Sequence, residues 1–150
     1  MNKIFLELTN LKKSFDHTGH SITLFKNFNI KINEGDLVAI VGPSGSGKSS
    51  FLHLLALLDE PSEGSINIDT INTKKLKDEA KDELRRKNIS IIFQDNNLLN
   101  DFTAIENVMM PLIIRGESKK KIIKKAQKIL KDVKIINRSN HFPNELSGGE

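Results

Sequence analysis

The segment Gly42-Pro43-Ser44-Gly45-Ser46-Gly47-Lys48-Ser49 constrains this chain more than any other stretch of it. It reads G-x-x-x-x-G-K-[ST], and its surroundings have the right grain. The continuous apolar run Leu37-Val38-Ala39-Ile40-Val41 precedes it, the pattern of a strand buried on both faces. Helical spacing follows it, from about Ser49 to Leu58, ending before Pro61. Each residue type has a physical use. The glycines let the backbone curl so that its N–H groups point inward at an anion. The helix beginning near Ser49 adds the partial positive charge of its N-terminus. Lys48 can reach the β and γ phosphates of a nucleotide, and the Ser49 hydroxyl can ligate Mg²⁺. The strand–loop–helix context separates this pattern from a merely flexible glycine turn, and it points to ATP or GTP as the ligand.

The rest of the chain reads as α/β. Ile4 to Leu11 and Thr23 to Ile32 have strand character, with Leu24, Phe28, Ile30 and Ile32 expected on one face of the second. Asn33-Glu34-Gly35-Asp36 then turns the chain. Ser65 to Ile68 is a short strand, Asp78 to Lys87 a charged helix, and Ile89 to Phe93 a second buried strand. From Leu98 to Lys134 the periodicity is mainly helical. The sum is an opening of antiparallel strands, then a partly parallel sheet carrying an inserted helical region.

Composition bounds the surroundings. With 150 residues there is enough chain for one domain with a core, and without cysteine there are neither disulfides nor thiolate metal sites, as in a reducing cytoplasm. The net charge of +4 could draw an anionic partner, but much of the excess sits between Lys119 and Lys134. There Ile122, Ile123, Ala126, Ile129, Leu130 and Val133 fall at helical spacing, so the lysines read as a solvated face rather than a binding patch, and no nucleic-acid partner is expected. No stretch approaches the roughly 20 apolar residues of a membrane span, and Met1 to Glu7 lacks a signal peptide's apolar run. Any membrane contact is expected through a partner.

A phosphate loop alone does not separate kinases, GTPases, helicases and transport motors. Gln94, directly after the run ending at Phe93, and Leu146-Ser147-Gly148-Gly149-Glu150 do. Together and in this order they resemble the glutamine loop and signature motif of the ABC transporter ATPases, and the resemblance covers the whole chain. It implies a P-loop NTPase fold: an N-terminal antiparallel β subdomain and phosphate-loop core over about 1–93, then the glutamine loop, helical subdomain and signature over about 94–150. It implies ATP and Mg²⁺ as ligands, held by residues Gly42 to Ser49 and Ser50, where the family more often has threonine. Phe15 stands where the family carries an aromatic that stacks on adenine, with a core position as the lesser alternative. Lys48 and Gln94 take the catalytic roles, Ser49 and Gln94 the metal, and Gln94 also meets the attacking water. Ser147, Gly148 and Gly149 are implied to act in trans, as an anion site at a helix start against the γ-phosphate held by a facing subunit. The partners implied are therefore a second ATPase subunit and a pair of integral membrane permease subunits.

Within that family the resemblance is to the lipoprotein-releasing branch, through Leu52-His53-Leu54-Leu55, Leu58-Asp59, Leu98 to Val108, Met110-Pro111-Leu112 and Asn140 to Glu145. Macrolide-type efflux and cell-division ATPases share much of this pattern. Asp95-Asn96-Asn97 departs from it and leaves the fit to one membrane partner open. The branch implies a peripheral place on the cytoplasmic face of the inner membrane. The family pattern continues beyond a signature with an apolar strand ending in Asp-Glu and with a switch histidine, and neither occurs up to Glu150. His141 precedes the signature and is not the switch. Two expectations follow. These residues form the first part of a transport motor, or they bind nucleotide without hydrolysing it, as a fragment or gene remnant would. By themselves they are expected to be unstable or to associate, because the family's neighbours for Leu37 to Val41 lie further along the sequence.

Overall fold

Two long strands form the frame of the first half of the molecule. The structure, a computed structural model, describes residues 3–17, 20–94 and 97–150. The expectations that touch Met1, Asn2, Asp95 and Asn96 lie outside the described residues. The chain divides into two compact units, Met1–Ser90 and Ile91–Glu150.

In the first unit β1 (Ile4–His17) pairs on one side with β2 (His20–Asn33) and on the other with β3 (Glu63–Ile68), which pairs with β4 (Ile71–Asn72). The order is β2-β1-β3-β4 and every pair is antiparallel. Alternation sends Leu6, Leu8, Ile66 and Ile68 to one face, where α1 (Lys48–Leu55) adds Phe51 and Leu54 and α2 (Asp78–Asn88) adds Leu84. The turn expected at Asn33 to Asp36 is present. Asp36 N–H donates to Asn33 O at 3.2 Å, the Asp36 carboxylate accepts from Asn33 N–H at 2.8 Å, and Gly35 supplies a φ of 86°.

Three expectations change. Leu24 does not keep step with Phe28 on the core side. Asn27 adopts φ 54° and Asn10 φ 50°, the β1–β2 register slips between Leu8 and Leu11 and again, with the extra residue on β2, between Leu11 and Lys13, and Phe25 packs against the core instead. A bulge adds one residue to a period of two, so every side chain beyond it changes face. The Asn29 side chain holds this bulge, its Oδ1 accepting from Asn10 N–H at 2.8 Å and its amide donating to Asn27 O at 2.9 Å.

Neither Leu37–Val41 nor Ile89–Phe93 is a strand, and the described sheet contains no parallel pair. Leu37 is 102% exposed and Ile92 101%. Extended backbone becomes a strand only against a neighbouring strand, and neither run joins the described sheet. Last, α1 stops at Leu55, because Leu57 turns left-handed (φ 57°) and Leu58 N–H closes back on His53 O at 2.9 Å.

The second unit holds α3 (Ala104–Ile114) and α4 (Lys119–Asp132). Thr103 and Glu106 form a capping box at the start of α3, with Thr103 N–H on the Glu106 carboxylate at 2.8 Å. Asn107 ties the preceding loop to this helix. Its Oδ1 accepts from Leu99 N–H at 2.8 Å, and its amide donates to Phe102 O at 2.9 Å and Thr103 O at 3.1 Å. In α4 the residues Ile122, Ala126 and Leu130 are buried at i, i+4 and i+8, and the lysines stand exposed. No described helix is long and apolar enough to cross a membrane.

Candidate nucleotide site

Residues 42–50 form one tight turn running into α1. Gly45 and Gly47 have φ 77° and 87°, in the left-handed region that β-carbons disfavour, and Gly47 caps the helix. Ser46 N–H donates to Pro43 O at 3.3 Å, and Phe51 N–H to Gly47 O at 2.8 Å. The Lys48 ammonium folds over the loop, donating to Gly42 O at 2.9 Å and Pro43 O at 2.7 Å. No acidic residue sits in the first turn of α1, so the charge at this helix end is positive. Gly42, Pro43, Ser44, Gly45, Ser46 and Ser49 are exposed, and Ser50 is half-buried. The arrangement can receive a phosphate chain: backbone donors at a helix start, a cation and a hydroxyl.

The bulged strand β2 bounds this loop. A β-carbon on Gly47 would lie 3.1 Å from Leu24 Cδ1, so Leu24, turned off the core face, lies against the cap. Two residues back along β2, Ile22 pairs across to Phe15 on β1. At about 3.3 Å per strand residue, Phe15's partner is roughly 7 Å from the point where β2 meets the loop. Phe15 is 42% exposed and is not a core residue. That spacing and exposure suit a base platform beside a phosphate cradle.

Beneath Phe15 lies a pair that the sequence did not single out. Lys13 is only 8% exposed. Its ammonium sits 4.6 Å from the centre of the Phe15 ring while donating to Asp59 Oδ1 at 2.7 Å and Glu60 O at 2.9 Å. Burial pushes the Asp59 carboxyl up, but the Lys13 hydrogen bond and charge and the Glu60 N–H outweigh it and hold the group below the usual range. The available signal was the i, i+2 spacing of Lys13 and Phe15, which puts both on one face of a strand.

In the second unit, Gln94 is exposed at a bend. Ser147 to Glu150 form a turn rather than a helix start, with Glu150 N–H on Ser147 O at 3.0 Å. The Glu150 carboxylate accepts from Ser147 N–H at 2.9 Å and from Arg138 Nε at 3.0 Å, and these bonds hold its pKa below the ordinary value. Gly148 and Gly149 are exposed. The turn lines an open groove of about 1160 Å³ together with Phe93, Leu98 and Pro143.

A phosphate loop of this geometry, opening a helix that packs on an antiparallel sheet, defines a nucleotide-binding P-loop domain. The chain belongs to the ABC transporter family, whose sequence profile matches residues 25–150. It is 41% identical over 150 residues to the lipoprotein-releasing system ATP-binding protein LolD of Treponema denticola. Against the LolD of Bacteroides thetaiotaomicron it is 41% identical over 145 residues, and against that of Legionella pneumophila 40% over 150. All of this chain is matched in the first and third cases and 97% of it in the second, against 66%, 65% and 66% of those proteins' own lengths. The chain thus spans slightly less than two thirds of these relatives. Among solved structures, the ATP-binding cassette MJ0796, seen as a dimer in a post-hydrolysis state bound to ADP and Pi, superposes with a TM-score of 0.88. The identity is 40%, over 95% of this chain and 63% of that one. The α/β P-loop ATPase fold expected from the sequence is thereby established, over part of the domain.

Proposed function

We propose that this chain is the nucleotide-binding part of an ATPase subunit that powers release of lipoproteins from the inner membrane toward the outer membrane. The observation that carries this reading is the Gly42–Ser49 loop, with Lys48 folded over it at the positive end of α1, in a chain 41% identical to a lipoprotein-releasing ATP-binding protein. ATP lies with its phosphates on the loop amides, Lys48 turns from Gly42 O and Pro43 O to the β and γ phosphates, and the purine rests on Phe15. Among the described residues no group of three or more His, Cys, Asp or Glu could hold a metal ion. The Ser49 hydroxyl, exposed beside Lys48, fits Mg²⁺ arriving with the nucleotide, which supplies most of its oxygen ligands. When bound, the metal neutralises charge on the phosphates during transfer. Gln94 keeps the role the family pattern gives it, at metal and water. Ser147, Gly148 and Gly149 act in trans in a homodimer, as a dimeric relative supports.

The subunit sits on the cytoplasmic face of the membrane and binds permease subunits through the loop that Asn107 braces, where Leu98, Leu99 and Phe102 are exposed. Residues 1–150 alone bind ATP but hydrolyse it only at background rate. Turnover that Lys48→Ala removes would overturn that statement.

The test has two arms. Lys48→Ala weakens ATP binding by about a hundredfold or more, the scale of a hydrogen-bonded charged group; near-normal affinity would leave the loop a structural turn. The complete subunit co-purifies with a lipoprotein-release permease pair, and Leu99→Glu breaks this while sparing ATP binding. Recovery of an efflux or cell-division permease instead would reject the cargo and keep the family.

A further inference from the structure

Lys13 is a buried lysine that the phosphate chemistry does not use. It lies in the strand face below Phe15, and three groups fix it there. Asp59 Oδ1 and Glu60 O accept its protons at 2.7 and 2.9 Å, and the ring centre of Phe15 is 4.6 Å from Nζ. Asp59 follows the left-handed stop of α1 at Leu57. The same helix that carries the phosphate loop on its first residue therefore delivers, just past its end, the anchor for Lys13. Phe15 stays 42% exposed although a cation lies over its ring. An ammonium held against one face of an aromatic ring draws on its π density. The opposite face becomes less electron-rich and stacks better on an electron-rich ring system.

We infer that Lys13, anchored by Asp59, is a positioning and specificity residue for the base of the nucleotide: it fixes the Phe15 ring and tunes its free face toward a purine. This rests on the reading of Phe15 as the base platform. Lys13 touches neither phosphate nor base and acts through Phe15 alone. The sandwich is built in order cation, phenyl ring, purine. Its benefit is felt only by ligands that carry a base.

Inorganic tripolyphosphate separates the effects, because it engages the loop without a base. The full chain is titrated with ATP and with tripolyphosphate by calorimetry. Lys13→Met would leave Asp59 without its partner, so Lys13→Met with Asp59→Asn is used, which removes both charges at similar volume. The expected result is ATP binding weakened about fivefold, with tripolyphosphate affinity unchanged. Phe15→Leu gives at least the same loss for ATP alone, and adding the Lys13/Asp59 pair to Phe15→Leu changes nothing further. Lys13→Arg, which keeps a cation over the ring, restores most of the preference for ATP. Equal weakening of both ligands by the double variant would overturn the inference, since Lys13 would then be shaping the loop. If Phe15→Leu lowers ATP affinity and the double variant does not, the inference fails and the platform stands. If Phe15→Leu leaves the ATP-to-tripolyphosphate ratio unchanged, the platform itself is rejected, and the inference with it.

Discussion

The two units hold their functional motifs by different means. In Met1–Ser90 the phosphate loop opens a helix whose Phe51 and Leu54 enter a cluster with Leu6, Leu8, Leu11, Ile66 and Ile68. In Ile91–Glu150 the buried apolar residues among those described are Ala104, Ile122, Ala126 and Leu130, and the signature turn is held by hydrogen bonds to Glu150 and Arg138. A site on a packed helix is placed by many side chains at once, whereas a turn closed by its own polar groups is placed by a few bonds that water also offers. The first unit thus holds its loop through an apolar core, and the second holds its turn through a few polar bonds.

The sharpest way to break this comparison is to cut equal volumes from each unit. Leu54 is 0% exposed and Leu130 2%. Leu54→Ala is expected to cost about 4 kcal/mol and Leu130→Ala about 2, both inside the range of about 2–5 kcal/mol set by how far surroundings collapse. Hydrogen exchange resolved along the full chain checks it, and equal losses would show both units packed alike.

A second test probes the frame below the nucleotide site. A β-carbon at Gly64 would lie 2.5 Å from the carbonyl oxygens of Thr9 and Asn10, at φ 87°. Backbone cannot retreat as a side chain can, so Gly64→Ala should cost about 3 kcal/mol and lower the melting temperature. An unaltered melt would mean that the β1–β3 approach is loose.

Smaller effects belong to the second unit. Asn107→Ala removes the bonds to Leu99, Phe102 and Thr103 and should cost about 1–2 kcal/mol. Protection from exchange should fall in residues 97–103 while ATP affinity holds, and loss of ATP binding would contradict the division. The smallest effect is in pH. Glu106, bonded to the Thr103 hydroxyl and N–H, and Glu150, bonded to Ser147 N–H, both have pKa values lowered from 4.5. A depressed folded-state value means their contribution is complete above the unfolded value and is lost as pH falls through the folded one. Below pH 4.5 the second unit should therefore loosen at the α3 cap and the signature turn. Asp59, Glu7, Glu63 and Glu83 are also lowered, so the first unit responds to acid through side-chain ion pairs with lysine and arginine rather than through a cap and a turn. Identical acid profiles for the two units by exchange would erase the distinction.

Much was readable before any coordinates. Spacing located the loop, and the loop places its own residues, because glycine conformation and a helix start are local properties. The charged helix α2, the buried face of α4 and the family itself followed from the same local grammar: periods, caps and short motifs read within a few residues. Other features arose only when distant segments met. Leu37–Val41 and Ile89–Phe93 look like buried strands, yet neither is a strand of the described sheet, since strand pairing is a property of two segments and not of one. The bulge at Asn10 and Asn27 moved Phe25 onto the core and Leu24 against Gly47, a change of face that no count of alternating residues foresees. Lys13, Phe15 and Asp59 come together across 46 residues of chain. Their ion pair exists because the fold buries a lysine and must bring a carboxylate to it, a requirement of tertiary desolvation that local sequence does not contain.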